Sequence, residues 1–190
     1  MACGRRRLGT PPLSSRETDV PLARVLACRA RLGEAQGPPT EVLARYDIAY
    51  LSGGDPLAFR QKLGESGYDA ALRTFAQSGR LIVGASGGAM QLTRNLSLYR
   101  LMSHSIDEVV SAHAGFEGLG LVDYELLPHM NRHDAEFEAK VRRYSERMPH
   151  DIVALVDGAV VFANAETECH CCGGGMRYRR GVRGEIGTAA

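Results

Sequence analysis

Short apolar runs alternate with longer segments of helical spacing along most of this chain. The runs that have the length of buried strands are 25–30, 47–51, 81–83, 121–127, 152–156 and 159–163. Helical patterns fill 41–45, the segment that starts at Asp55 and Pro56, 70–78, 89–102 and the segment that follows Asp134. Strands that alternate with helices predict an α/β fold, with a mostly parallel sheet and helices on both of its faces.

Two of the predicted helices have clear start signals. Asp55 can cap a helix N-terminus, and Pro56 suits the first helical position, where no amide hydrogen is needed. Asp134 can cap the last helix in the same way, and its apolar stripe is Phe137, Val141, Tyr144 and Met148. The pattern is lost at both ends, so we expect a single α/β domain over 1–190 with loose or atypical tails at 1–20 and 165–190.

The composition excludes several function classes. The 190 residues are 44% hydrophobic and 24% charged, with a formal net charge of +1, which is typical of one soluble globular domain. This near-neutral balance argues against nucleic acid as the main partner. No apolar run approaches the roughly 18 residues of a membrane span, so we expect no membrane partner.

Cysteine usage bears on the compartment and on metal binding. Three of the five cysteines lie in the cluster Cys169-His170-Cys171-Cys172, and an odd, clustered set is not a disulfide framework. A zinc site needs ligands from separated pairs, so that four can surround the ion, whereas Cys3 and Cys28 are isolated. We therefore expect reduced cytosolic thiols, no metal and no cofactor.

The most informative segment is 81–90, Leu-Ile-Val-Gly-Ala-Ser-Gly-Gly-Ala-Met. An apolar strand ends at Gly84, Ser86 follows two residues later, and small residues lead into a helical pattern. This arrangement is typical of a nucleophile elbow, in which a serine occupies a strained strand-to-helix turn with its hydroxyl exposed. Because Gly-x-Ser-x-Gly also occurs by chance, a plain glycine-rich turn is the alternative.

Two further strand ends carry groups that a nucleophilic serine needs. Ligands of open α/β sheets bind beyond the carboxyl ends of the strands, and Gly53-Gly54 and His129 occupy such ends. His129 is the candidate base, because a serine hydroxyl is a poor nucleophile until its proton is removed. A structural histidine is the alternative. The backbone N–H groups of Gly54 and Gly87 are the candidate oxyanion donors.

The acid that would orient His129 is less well defined by the sequence. Asp157 lies at a strand end and is followed by Gly158, but Asp-Gly is also a strong hairpin signal, and a turn aspartate is the alternative. The competing acids are Asp107, Asp123, Glu125 and Asp134.

At these residues the chain resembles the dipeptidase E and cyanophycinase family of serine peptidases. The matching pieces follow the family's order: Tyr-Leu-Ser-Gly-Gly-Asp-Pro at 50–56, Gly-Ala-Ser-Gly-Gly-Ala at 84–89, Gly-Leu-Gly-Leu-Val at 118–122, Leu-Pro-His-Met at 127–130 and Ala-Leu-Val-Asp-Gly at 154–158. The resemblance implies a fold like that of class I glutamine amidotransferases, with serine in place of the nucleophilic cysteine. It implies Ser86 as nucleophile, His129 as base, Asp157 where the family often has a glutamate, and Gly54 and Gly87 as oxyanion donors.

The resemblance also implies a hydrolase of small peptides that is cytosolic, needs no metal and is often a dimer. Some members of the family cleave dipeptides with an N-terminal aspartate. Asp55 and Arg132 are the candidate substrate-binding residues. Arg132, three residues past His129, is placed to capture a carboxylate, although an ordinary solvated arginine is the alternative. Relative to the family, we expect the fold to be shortened at the N-terminus. The stretch after His129 is also short, so strict aspartyl specificity does not carry over.

Two other functions stay open at this point. An amidotransferase-like hydrolase is disfavoured by Ser86, where those enzymes have cysteine, and by Asn131, where they place a glutamate. A non-catalytic relative that keeps the fold and binds a ligand or partner is the other alternative.

Overall fold

The computed structural model describes residues 25–28, 37–163 and 170–186. Nine strands are present in these ranges: β1 Val25–Cys28, β2 Ile48–Leu51, β3 Leu81–Gly84, β4 Tyr124–Leu127, β5 Asp151–Leu155, β6 Val160–Phe162, β7 His170–Cys172, β8 Gly175–Arg179 and β9 Val182–Glu185. The helices are α1 Pro39–Leu43, α2 Pro56–Glu65, α3 Tyr68–Gln77, α4 Gly87–Met90, α5 Ile106–Ser111 and α6 Ala135–Arg147, with 3-10 turns at Ser97–Met102, His113–Gly115 and Met130–Arg132.

The strands form three hydrogen-bonded groups, in the orders β1-β2-β3, β4-β5-β8-β9 and β6-β7. Three strand pairings are parallel, namely β1 with β2, β2 with β3, and β4 with β5. The pairings of β5 with β8, β8 with β9 and β6 with β7 are antiparallel. The expected α/β fold is confirmed, and its parallel part is the part that carries the strand ends singled out in the sequence.

The start signals of two helices act as predicted. Asp55 Oδ1 accepts hydrogen bonds from the N–H groups of Leu57, at 2.8 Å, and Ala58, at 2.9 Å, which satisfies donors that have no partner inside α2. Asp134 Oδ1 accepts from the N–H of Phe137 at 2.8 Å and starts α6. The apolar stripe of α6 packs into a core with residues of β4 and β5, and this core fixes the strands behind the candidate site.

The helix expected over 89–102 is interrupted. α4 ends at Met90, and a 3-10 turn resumes only at Ser97. In between, Thr93 Oγ1 donates to the carbonyls of Met90 and Asn95, and Asn95 Oδ1 accepts from the N–H of Ser97 at 2.7 Å. Short polar side chains that bond to nearby backbone compete with helical hydrogen bonds, which explains the break.

Where it is described, over 170–186, the C-terminal segment forms strands β7, β8 and β9. Strands β8 and β9 extend the sheet from β5, and the side chain of Tyr178 is fully buried. Arg179 anchors β8 through two 2.7 Å hydrogen bonds to the Asp151 carboxylate. The remaining parts of the expected tails, 1–20, 165–169 and 187–190, lie outside the described residues, as do Cys3 and Cys169.

Candidate active site

Ser86 lies two residues after the end of β3 and has backbone angles of φ 49° and ψ −118°. A positive φ is uncommon for a residue that carries a Cβ and is found at strained functional turns. Glycines on both sides make the turn possible. A Cβ at Gly84 would lie 2.5 Å from Ala89 Cα, and one at Gly88 would lie 2.2 Å from the Leu51 carbonyl oxygen. The turn therefore requires the Gly-x-Ser-x-Gly pattern found in the sequence.

His129 follows β4 and brings its ring to the serine. Its Nε2 lies 2.8 Å from Ser86 Oγ, which is hydrogen-bond distance for a hydroxyl and an imidazole nitrogen. His129 also has a positive φ, of 61°. Two of the three predicted strand ends thus carry non-glycine residues in uncommon backbone conformations, and their side chains touch.

Asp157 lies in the turn after β5 and accepts a hydrogen bond at Oδ1 from His129 Nδ1. Its Oδ2 accepts from Arg132 Nε at 2.7 Å and from Asn131 Nδ2 at 3.2 Å. The hydrogen bond from Arg132, followed by that from His129, holds the pKa of the Asp157 carboxyl well below its usual range. β5 pairs with β4 and β8 whereas β6 pairs with β7, so Asp157 is not the turn of a hairpin between β5 and β6.

The competing acids are engaged elsewhere in the described structure. Asp107 pairs with Arg147 at 3.0 Å, and Asp123 forms an ion pair with Arg94. Asp134 caps α6, and Glu125 is hydrogen-bonded to His113 and His150. The acid that contacts His129 in this structure is therefore Asp157.

The two candidate oxyanion donors lie against each other. Gly54 has φ 141° and Gly87 is the first residue of α4. A Cβ added to Gly87 would lie only 2.2 Å from the Gly54 carbonyl oxygen, so the two backbone segments are in close contact beside Ser86. Within the described ranges, neither N–H donates to a backbone acceptor outside the regular elements.

The two candidate substrate-binding residues have structural partners. Asp55 uses Oδ1 for both hydrogen bonds that cap α2. Arg132 is largely exposed, but its Nε donates to Asp157. The sequence did not predict this contact, nor the two hydrogen bonds between Asn131 and Asp157. The available signal was that Asn131 and Arg132 lie two and three residues after His129 in the sequence.

A second histidine–carboxylate group, which the sequence did not predict as a unit, is buried in the core. Glu125 Oε1 accepts from His150 Nε2 at 2.6 Å, Tyr144 Oη at 3.0 Å and His113 Nε2 at 3.2 Å, and Oε2 accepts from the N–H of Leu98 at 2.9 Å. Burial raises the pKa of Glu125, but the hydrogen bonds from His113 and His150 outweigh burial and hold it below its usual value. A charged residue inside an otherwise apolar strand was the signal for this cluster.

His113, Glu125 and His150 are also the described residues whose ligand atoms could hold a metal ion, since these atoms lie within 4.8 Å of one another. Their present separations of 2.6 and 3.2 Å are hydrogen-bond distances. Cys171 and Cys172 are free thiols, the first buried and the second exposed. The expectation that no metal takes part stays a prediction.

The sequence profile of Peptidase family S51 matches residues 32–169. The chain belongs to peptidase family S51. This membership confirms the resemblance to the dipeptidase E family, and the matched segment contains Ser86, His129 and Asp157.

Curated relatives and solved structures agree with this assignment. The chain is 31% identical over 98 residues to the uncharacterized peptidase Lmo0363 of Listeria monocytogenes, covering 52% of this chain and 47% of that protein. It is 31% identical over 90 residues to the uncharacterized peptidase PM1590 of Pasteurella multocida, covering 47% and 42% of the two chains. This S51 chain thus spans about half the length of the curated relatives it matches.

Two crystal structures share the fold of this S51 chain. A putative peptidase E from Listeria monocytogenes matches with a TM-score of 0.54 at 25% identity, covering 74% of this chain and 64% of that one. A peptidase from an acI-B1 Actinobacterium matches with a TM-score of 0.59 at 18% identity, covering 80% and 61%. Among the described residues, no helix has the length and apolar character that crossing a bilayer requires.

Proposed function

We propose that this S51 chain is a serine peptidase that hydrolyses small peptides, with Ser86 as nucleophile, His129 as general base and Asp157 as the orienting acid. The observation that carries the proposal is the 2.8 Å separation of Ser86 Oγ and His129 Nε2, at a turn where the serine has φ 49°. Nucleophile and base within hydrogen-bond reach, with the base held by a third group, is the general arrangement for covalent catalysis by serine.

The reaction follows from these contacts. Ser86 Oγ attacks the peptide carbonyl carbon while His129 Nε2 takes the hydroxyl proton, and Asp157 stabilises the resulting imidazolium through Nδ1. His129 then returns the proton to the leaving amine as the C–N bond breaks, which leaves an acyl-enzyme. Water, deprotonated by His129, releases the acid product and restores Ser86.

The tetrahedral intermediate carries a negative oxygen that needs donors already in place. We propose the N–H groups of Gly54 and Gly87 for this role. The support is their close contact beside Ser86. Rigid backbone donors require no reorganisation when the charge develops, and each is worth about 10²–10³ in turnover in related sites.

We propose short peptides, without a strict acidic preference, as substrates. Asp55 uses one carboxylate oxygen as the α2 cap, and its second oxygen is the candidate partner for a substrate ammonium group. An acidic preference would need a cation aimed at the substrate, whereas Arg132 directs Nε at Asp157. A cytoplasmic location and a homodimer, both implied by the family resemblance, remain proposals; sedimentation of the purified chain tests the dimer.

A panel of dipeptides with acidic, neutral and basic N-terminal residues tests the function. We expect hydrolysis by the wild-type chain and a loss of about 10⁶-fold in kcat in Ser86→Ala, as found when a triad nucleophile is removed, without a change in melting temperature. Hydrolysis by Ser86→Ala at the wild-type rate would contradict the proposal. A well-folded wild-type protein that turns over no peptide would favour the non-catalytic binding protein instead.

A further inference from the structure

We infer that Asn131 and Arg132 are positioning residues, which hold the Asp157 carboxylate in the orientation that His129 requires. Arg132 would then act on the turnover rate rather than on the choice of substrate. The inference rests on the proposed function, because it assigns these roles within the same Ser86–His129–Asp157 group.

Within the described residues, one short segment of chain supplies the hydrogen bonds that hold Asp157. Asn131 Oδ1 accepts from the Asp157 backbone N–H at 2.7 Å, and Asn131 Nδ2 donates to Asp157 Oδ2 at 3.2 Å. Arg132 Nε donates to the same Oδ2 at 2.7 Å. His129, from the same segment, takes Oδ1. The base and the residues that orient its acid therefore move together.

The location of Asp157 explains why it needs this support. It lies in a turn rather than in a strand, and 36% of its side chain is exposed. An exposed carboxylate on a turn can rotate toward water, and each rotation removes the acceptor from His129 Nδ1. With Oδ2 held by Asn131 and Arg132, only Oδ1 is directed at the histidine. Small misplacements of this kind lower turnover steeply.

The charge of Arg132 serves the same role. Its hydrogen bond is the largest cause of the low pKa of Asp157, so the carboxylate stays ionised. A guanidinium is always charged and forms directional hydrogen bonds.

The test compares Arg132→Gln with a matched control, Arg147→Gln. Arg147 forms a similar exposed ion pair, with Asp107 at 3.0 Å, and does not contact the site residues. We expect Arg132→Gln to lower kcat by about 10- to 100-fold with KM nearly unchanged for both acidic and neutral dipeptides. Arg147→Gln should leave kcat and KM unchanged, and neither variant should lose much thermal stability. Arg132→Lys should recover part of kcat.

A double-mutant cycle tests whether Arg132 acts through Asp157. In an Asp157→Asn background, Arg132→Gln should cause little further loss, because residues that act as a unit are not additive. Additive losses would overturn the inference. A raised KM confined to acidic dipeptides, with kcat unchanged, would assign Arg132 to substrate selection and also overturn it.

A readout without turnover separates this inference from the proposed function. The His129 Nδ1 proton, assigned by its loss in His129→Gln, should appear downfield in the proton NMR spectrum, as expected for a hydrogen bond to a carboxylate. We expect the signal to broaden or move in Arg132→Gln and in Asn131→Ala, but not in Arg147→Gln. An unchanged signal would overturn the positioning role even in a chain without peptidase activity, whereas failure of the proposed function appears as absent hydrolysis by the wild type.

Discussion

The described part of this S51 chain contains two histidine–carboxylate groups with similar chemistry and opposite surroundings. His129 and Asp157 are 35% and 36% exposed at the ends of strands. In the other group, Glu125 is fully buried and the exposed fractions of the His150 and His113 side chains are 2% and 25%. The residue types alone do not distinguish a catalytic histidine–carboxylate pair from a structural one. The third group that contacts the pair does distinguish them.

The third group in contact with the His129–Asp157 pair is the hydroxyl of Ser86. Ser86 Oγ contacts His129 Nε2 while Asp157 occupies Nδ1, so the imidazole links a hydroxyl oxygen to a carboxylate. In the buried group, both histidines direct Nε2 at the same carboxylate oxygen, and His150 Nδ1 has no hydrogen-bond partner within the described residues. This group ties β4 to the elements packed on it.

The two carboxylates are also kept ionised by different means. Asp157 is stabilised by hydrogen bonds from Arg132 and His129 in a partly solvated turn. Glu125 has to offset the cost of its own burial with hydrogen bonds from His113, His150 and a backbone N–H. Removal of the first carboxylate should therefore affect chemistry, and removal of the second should affect folding.

Replacing one histidine of each group by glutamine is expected to give the largest difference between the two groups. His129→Gln should lower kcat by about 10⁴- to 10⁶-fold, the range for loss of a triad member, with little change in melting temperature. His150→Gln should lower the melting temperature while the folded fraction keeps its turnover. Steady-state kinetics and thermal unfolding on both variants check this, and a reversed pattern would mean that the roles are exchanged.

The acids should behave in parallel, with a smaller effect on turnover. Asp157→Asn keeps the shape but loses the charge that selects the histidine tautomer, and we expect a loss of about 10⁴-fold in kcat. Glu125→Gln should stay within a few-fold of the wild type for the molecules that fold. Near-native kcat in Asp157→Asn would make Asp157 a turn residue and remove it from the site.

Glu125 is expected to contribute mainly to the stability of the folded chain. Glu125→Gln should lower the free energy of unfolding by about 2–3 kcal/mol, because a buried charged acceptor of four hydrogen bonds is replaced by a neutral one. The pKa of Glu125 is lower in the folded chain than its usual value. Its contribution is therefore present above the usual glutamate pKa and lost as the pH falls through the folded value. Urea unfolding from pH 7 down to acidic pH should show this loss in the wild type and a weaker one in Glu125→Gln.

Chelation is expected to have the smallest effect. We predict that treatment with a chelator leaves both the turnover and the melting temperature unchanged, since His113, Glu125 and His150 are already joined by direct hydrogen bonds. Metal analysis of the purified chain provides the control. Stoichiometric zinc that is lost together with activity or stability would contradict this prediction.

The elements that position the site were predictable because their signals are local. Gly84 and Gly88 frame Ser86, and Asp55 and Asp134 start their helices by capping, so short stretches of sequence specify these features. The contact between His129 and Asp157 joins two separate strand ends, and the sequence left it open. It depends on how β4 and β5 align, with Leu127 opposite Ala154.

Other features depended on long-range packing that no local pattern records. The helix expected over 89–102 breaks because Thr93 and Asn95 find backbone partners nearby. The described tail strands are short and are separated by glycines, but β8 pairs with β5 and buries Tyr178. The contacts of Asn131 and Glu125 also could not be predicted from the sequence, because their partners come from separate elements.

The most direct test of the account is labelling by a fluorophosphonate probe, with the labelled residue mapped by mass spectrometry. We predict that the wild type and His150→Gln are labelled at Ser86, that Ser86→Ala is not labelled, and that His129→Gln is labelled far more slowly. A well-folded wild-type chain that resists the probe, or a His129→Gln variant labelled at the wild-type rate, would contradict the assignment of Ser86 and His129 as nucleophile and base.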